Sequence, residues 1–157
     1  LDQQIVALFE GAPEAGPRAL GHRSLLLDPR NPKGKDIINK VKKREWYRPF
    51  AGVILSEHFE EYFDTLGLKD SPYMTLNFKC KRPKEIPAIV HVDNTCRVQT
   101  IKTGFLYDLL KLFYKETGCP ILLNTSLNIA GQPLVQTKTE AIKDFKNIYF
   151  VDDQRLF

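Results

Sequence analysis

The stretch from Gly104 to Asn128 does most to limit what this chain can fold into. Phe105, Leu106, Leu109, Leu110 and Phe113 recur at helical spacing over residues 104–117, and Gly118 is placed to stop that helix. Ile121-Leu122-Leu123 follows, apolar without alternation, which marks a strand covered on both faces. The run then turns polar at once, in Asn124-Thr125-Ser126-Leu127-Asn128. Polar side chains leaving the end of a buried strand match the ligand crevice of open α/β sheets, although Asn and Ser also build plain turns.

The other segments suit the same architecture. Strands are expected at residues 5–9, 24–27, 50–55, 73–78, 89–92, 97–101 and 148–151. Residues 33–44 read as a helix with Ile37, Ile38 and Val41 on one face. Ser56 is placed to cap a short helix whose inner face is Phe59, Tyr62 and Phe63, and a last helix is expected at 138–146. Residues 17–22 fit one helical turn with Pro17 at its first position. Strands and helices mix without regular alternation, so the expected class is α/β (α+β): one large twisted mixed sheet flanked by helices.

At 157 residues the chain suits one domain, residues 1–157, with a sizeable core. Its hydrophobic content of 43% and charged content of 27% are those of an ordinary soluble globule. The net charge of +4 fits anionic small molecules better than dedicated nucleic-acid binding. No apolar run reaches the ~20 residues of a membrane span, and no secretory pattern is visible. Cys80, Cys96 and Cys119 are widely spaced without CxxC, as expected of reduced cytoplasmic thiols. His22, His58 and His91 are isolated, and the P-loop and nucleophile-elbow patterns are missing. The chain opens on Leu1 with a strand close behind, as expected of a piece of a longer protein.

Basic residues mark a candidate site. Arg18 sits in Gly16-Pro17-Arg18-Ala19-Leu20-Gly21, with Arg23 and Ser24 just after. A helix N-terminus there would offer free N–H groups to an anion, with Arg18 beside it; the alternative is a structural loop. Lys42, Lys43 and Arg44 lead to Arg48-Pro49-Phe50-Ala51. Lys43 reads as a counter-charge to a helix C-terminus, and Arg48, before a proline, as a fixed fork for phosphate or carboxylate. Arg97 and Gln99 share a strand face, either a pocket floor or a solvated surface.

Taken in order, these motifs resemble the C-terminal domain of O-carbamoyltransferases of the NodU/CmcH type. The resemblance is carried by Glu14 through Ser24, Asp28-Pro29-Arg30, Lys42 through Glu45 with Arg48 through Ala51, and His91-Val92-Asp93 with Arg97 through Thr100. Leu122 through Ser126, with Asn128, Gly131 and Pro133, completes it. It implies a YrdC-like fold that binds ATP, with its Mg²⁺, and carbamoyl phosphate, and that forms carbamoyl adenylate. It implies that Lys42, Arg48 and Arg18 hold phosphates and carbamoyl. Arg97, Asn124 and Ser126 would line the nucleotide and carbamoyl pocket, with Arg23 and Asn128 alongside. A preceding ASKHA-type domain with an iron-like metal would pass the carbamoyl group to an acceptor hydroxyl, so this chain alone is expected to perform only the first half-reaction. Gly11-Ala12 stands where the family often has Gly-Arg, which implies weaker hold on phosphate. The alternative from the residues is a non-catalytic basic module for a nucleotide or RNA, against which the sparse aromatic–basic interleaving argues.

Overall fold

A computed structural model describes residues 4–145 and 148–151. Eight strands among these residues form one mixed sheet. In chain order they are β1 (Val6–Phe9), β2 (Arg23–Leu27), β3 (Ala51–Leu55), β4 (Phe63–Asp64), β5 (Asn77–Cys80), β6 (Thr95–Ile101), β7 (Ile121–Ser126) and β8 (Tyr149–Val151). Their order across the sheet is β4-β5-β6-β3-β7-β2-β1-β8. Only β3 with β6 and β1 with β8 run parallel; the other neighbours are antiparallel. The helices are α1 (Gly34–Val41), α2 (Phe59–Tyr62), α3 (Phe105–Thr117) and α4 (Lys138–Asp144). The α/β architecture expected of the sequence is the one observed.

Register and side-chain alternation divide the sheet into two faces. One carries Leu25, Leu27, Ile54, Phe78, Val98, Ile121 and Leu123 and joins the larger core with Ile38, Phe59 and Phe63. Register with Val98 and Leu123 puts Gly52 on this face, where a Cβ would stand only 2.7 Å from Ile89 Cδ1. The other face carries Leu8, Leu26, Val53, Leu55 and Leu122, which pack under Leu106 and Leu110 of α3. Gly118, in left-handed conformation, ends α3 with its N–H on the Tyr114 carbonyl. Thr137 and Glu140 form a capping box at the start of α4.

Several boundaries differ from expectation for local reasons. α1 stops at Val41, because Lys43 adopts a φ of 52° and the chain turns away. Ile38 of its expected inner face is buried, whereas Ile37 is exposed. The strand expected at 73–78 is displaced to β5 at Asn77–Cys80, since Met74 has a φ of 55° and breaks the extended backbone. Residues 89–92 form turns instead of a strand, with the His91 N–H on the Thr95 carbonyl and Asn94 at a φ of 60°. Ser56 does not cap a helix; its hydroxyl donates to the Ile101 carbonyl. Lys146, at the end of the helix expected over 138–146, lies outside the described residues.

The turn expected at 17–22 is not helical. The Glu14 carboxylate takes the N–H groups of Leu20, His22 and Arg23 on Oε1, at 2.7, 2.8 and 3.3 Å. An internal anion therefore occupies the donors that a helix N-terminus would have offered to a ligand. Glu14 instead staples a loop that crosses the sheet beyond α3.

Candidate functional site

The site is the end of the α3-bearing sheet face that α3 does not cover. Arg97 of β6, Ala51 of β3 and Asn124 of β7 lie in one cross-strand row. With strands about 4.8 Å apart, Arg97 and Asn124 are rooted about 10 Å apart. Ala51 between them has only a methyl, which leaves a trough. The loop stapled by Glu14 and the segment between α1 and β3 wall it. The resulting cleft of about 110 Å³ is lined by Arg18, Arg44, Phe50, Arg97, Asn124 and Ser126, among others. Its charged lining is wholly cationic.

The cations repel one another and are partly dehydrated. Burial, then Arg18, holds the Arg97 guanidinium below its ordinary pKa. Burial first, then Arg48 and, more weakly, Arg97, lowers Arg44 to about 10, with Glu45 opposing. Arg44 is fixed by stacking 4.1 Å over the Phe50 ring and by donating to Asn39 Oδ1 and the Pro49 carbonyl. Asn39 is itself buried, and its Nδ2 donates to the Trp46 and Arg48 carbonyls, shaping the whole segment.

Two cleft atoms lack a partner: Arg97 Nε and Asn124 Oδ1 are both buried without a hydrogen bond. Ser24 Oγ, paired by register with Ser126 on the same face, is a third such atom. A buried polar group left unpaired costs about 1–3 kcal/mol. Three at one end of one sheet face make that end the candidate site.

The residues singled out from sequence separate into three groups. Arg18, Arg97, Asn124 and Ser126 come together on the cleft. Lys42 and Asn128 stand behind it. The Lys42 side chain is buried, and its Nζ donates to the Ser126 carbonyl and Oγ and to the Asn128 carbonyl and Oδ1. Burial, with Arg44 nearby, pushes its amine down to about 7. Asn128 Oδ1 also accepts from Ser126 Oγ at 2.6 Å, and its Nδ2 donates to the Gln132 carbonyl. Lys42 thus anchors the exit of β7. Arg48 and Arg23 are elsewhere. Arg48 is half-exposed at the rim and pairs with Glu45 at 2.7 Å. Arg23 belongs to the opposite sheet face, since it pairs in register with Phe9. It stacks 3.5 Å over the Phe9 ring and donates to the carbonyls of Glu10, Gly11, His22 and Val135.

Arg44, Ala51 and Glu14 lie within the motifs named from sequence but were given no site role there. The signal for Ala51 was its place at the head of a strand beside Arg48-Pro49-Phe50. Arg44 had its place in the basic run as a signal, but its direction is set by the left-handed turn at Lys43, which the run does not announce.

Among the described residues, no group of three or more His, Cys, Asp or Glu is placed to hold a metal ion. The three cysteines are free and buried. No described helix is long and apolar enough to cross a membrane.

The chain matches the family model described as "Carbamoyltransferase C-terminus" over residues 1–152. It is 45% identical over 148 residues to the nodulation protein NolO of Bradyrhizobium diazoefficiens, covering 90% of this chain and 27% of NolO. In fold it is similar to full-length HypF in a phosphate- and nucleotide-bound form, with a TM-score of 0.64 and 20% identity over 99% of this chain and 24% of HypF. HypF of T. kodakarensis superposes with a TM-score of 0.68 at 21% identity, over 96% of this chain and 19% of that one. The chain thus spans about a quarter of the length of NolO.

Proposed function

We propose, from the premise that the chain belongs to the carbamoyltransferase C-terminal family, that its cationic cleft binds carbamoyl phosphate and ATP and forms carbamoyl adenylate. The observation that carries this reading is the pair of unpartnered buried atoms, Arg97 Nε and Asn124 Oδ1, on either side of Ala51 in a cleft whose charges are all positive. The phosphate and nucleotide bound by HypF, a protein of similar fold, support it.

In this reading carbamoyl phosphate gives its phosphoryl group to water, leaving inorganic phosphate and carbamate. A carbamate oxygen then attacks the α-phosphorus of ATP and displaces pyrophosphate. Negative charge on the phosphoryl oxygens is met by forks fixed before the reaction begins, which is the efficient form of electrostatic stabilisation. Arg97 supplies Nε from the floor, Arg44 is aligned by Phe50 and Asn39, and Arg18 closes from the stapled loop. Lys42 positions Ser126 from behind. The cleft lining contains no carboxylate. In this reading Mg²⁺ arrives with the nucleotide phosphates and needs no carboxylate of this cleft. Transfer to an acceptor hydroxyl, with the ASKHA-type domain and its iron-like metal, is assigned to the remainder of the longer relatives.

Calorimetric titration with carbamoyl phosphate and with ATP plus Mg²⁺, followed by assay of phosphate and pyrophosphate release, tests this. Saturable heat with both ligands and release of both products is expected. A folded sample that gives no heat with either ligand would sink the reading.

A further inference from the structure

Helix α1 closes in a Schellman motif. The Arg44 N–H donates to the Asn39 carbonyl at 3.1 Å, the Lys43 N–H donates to the Lys40 carbonyl at 3.2 Å, and Lys43 takes the left-handed place. In such a motif the residue that offers the first carbonyl and the residue that donates to it often touch through apolar side chains. Here the two are Asn39 and Arg44, and their side chains meet in a hydrogen bond, Arg44 Nε to Asn39 Oδ1. The helix end therefore holds Arg44 at two points, its backbone and its guanidinium.

The orientation of the Asn39 amide follows from its partners. Nδ2 donates to the Trp46 and Arg48 carbonyls at 3.0 and 3.3 Å, which only the nitrogen can do, so the oxygen faces Arg44. Both amide protons and the amide oxygen of a residue only 2% exposed are in use. An aspartate in this place could hold Arg44 but could donate to neither carbonyl. It would also neutralise the guanidinium that it held. The other partners of Arg44 are neutral as well: the Pro49 carbonyl and the Phe50 ring. The neighbouring carboxylate, Glu45, pairs with Arg48 at 2.7 Å. Arg44 thus reaches the cleft wall fixed in direction and without a carboxylate on it. We propose that Asn39 is a positioning residue of the anion site, whose neutral amide aims the Arg44 fork while leaving the charge of that fork for a phosphate group. This rests on the proposed binding of carbamoyl phosphate in the cleft. It adds a residue that does not line the cleft and on which one of its clamps depends.

A double-mutant cycle tests the assignment, with carbamoyl phosphate affinity read by calorimetric titration and folding by circular dichroism. Arg44→Met is expected to weaken binding by about ten- to a hundredfold, and Asn39→Leu by about tenfold. In the double variant, Asn39→Leu is expected to add nothing to the loss caused by Arg44→Met, because it acts only through that fork. A further loss in the double variant overturns the assignment, since Asn39 then supports the segment as a whole. Full affinity in either single variant overturns it too. Asn39→Asp keeps the size of the side chain but sets a carboxylate on the guanidinium, and it decides the matter if Asn39→Leu does not fold. It is expected to weaken binding by about tenfold, and wild-type affinity in Asn39→Asp overturns the need for a neutral anchor. Each of these failures, with wild-type binding intact, leaves the anion site standing. Folded wild-type protein that binds no carbamoyl phosphate overturns both this assignment and the reading beneath it.

Discussion

Leu122 and Asn124 sit two residues apart on the same strand and the same sheet face, yet they belong to regions built on opposite rules. Around Leu122, under α3, the packing is dominated by an apolar cluster: Leu8, Leu26, Val53, Leu55, Leu106 and Leu110 close over one another. Around Asn124, beyond the end of α3, Arg97, Ser24 and Asn124 itself keep polar atoms buried and unpaired. The packed half supplies stability. The polar half uses some of it to hold unpaired polar groups in place, the relation expected between a scaffold and a site. The change occurs within two residues because α3 ends its cover there and a loop stapled by Glu14 takes over.

The largest effect comes from breaking the packed half. Leu110 is fully buried in that cluster. Leu110→Ala is expected to lower stability by about 2–5 kcal/mol, from lost transfer energy plus the cavity left behind. Urea denaturation measures it. Carbamoyl phosphate affinity of the protein that remains folded is expected to be unchanged, and a parallel loss of affinity would show that the two halves are not separable.

Arg97→Met inverts that pattern. It removes a dehydrated cation that faces Arg18 and has an unpaired Nε. Charge-assisted hydrogen bonds contribute about 1.5–3 kcal/mol, so carbamoyl phosphate affinity is expected to drop by about ten- to a hundred-fold. Thermal stability is expected to hold or rise. A melting temperature that falls sharply in Arg97→Met would place Arg97 with the scaffold.

The same contrast explains what the sequence disclosed. The packed half was legible: the stripe of α3, its stop at Gly118 and the apolar run of β7 announce themselves by period and length. Asn124 and Ser126 could be singled out too, because a buried strand that turns polar ends either in a crevice or in a plain turn, and the structure puts both on the cleft. The basic residues were harder. Arg18, Arg23, Lys42, Arg48 and Arg97 look alike in sequence, and only register and burial separate them. Arg23 and Arg97 both stand on strands of one sheet but face opposite ways. Lys42 turns inward because it stands just past the end of α1 at Val41, where the chain enters a left-handed turn at Lys43. The row from Arg97 through Ala51 to Asn124 depends on pairing three strands distant in sequence, and local pattern does not carry that.

Lys42 connects the halves, and pH addresses it. Its amine titrates near 7 in the fold, against an ordinary value near 10.5. Between those values the unfolded chain holds one more proton than the folded chain, so this group makes stability rise with pH above about 7. The slope is at most about 1.4 kcal/mol per pH unit. Below pH 7 both states are protonated and the slope from this group vanishes. Lys42→Met is expected to remove the slope in denaturation series between pH 7 and 9. A slope that survives in Lys42→Met would assign it to other groups.

The smallest effect is expected at the rim. The Arg48 side chain is 52% exposed, and its ion pair with Glu45 joins two neighbours in water. Such pairs contribute about 0–1 kcal/mol, so Arg48→Ala is expected to leave stability nearly unchanged. Its charge still reaches the cleft, since it presses on Arg44. Removing it relieves repulsion inside the cleft and also weakens attraction for an incoming anion. The two effects oppose each other, and both are screened over about 10 Å at 0.1 M salt. Carbamoyl phosphate affinity in Arg48→Ala is therefore expected to shift by only about threefold at low salt, and the shift is expected to disappear as salt is raised. A salt-independent loss as large as that of Arg97→Met would mean that Arg48 swings inward and touches the ligand, moving the boundary of the polar half out to the rim.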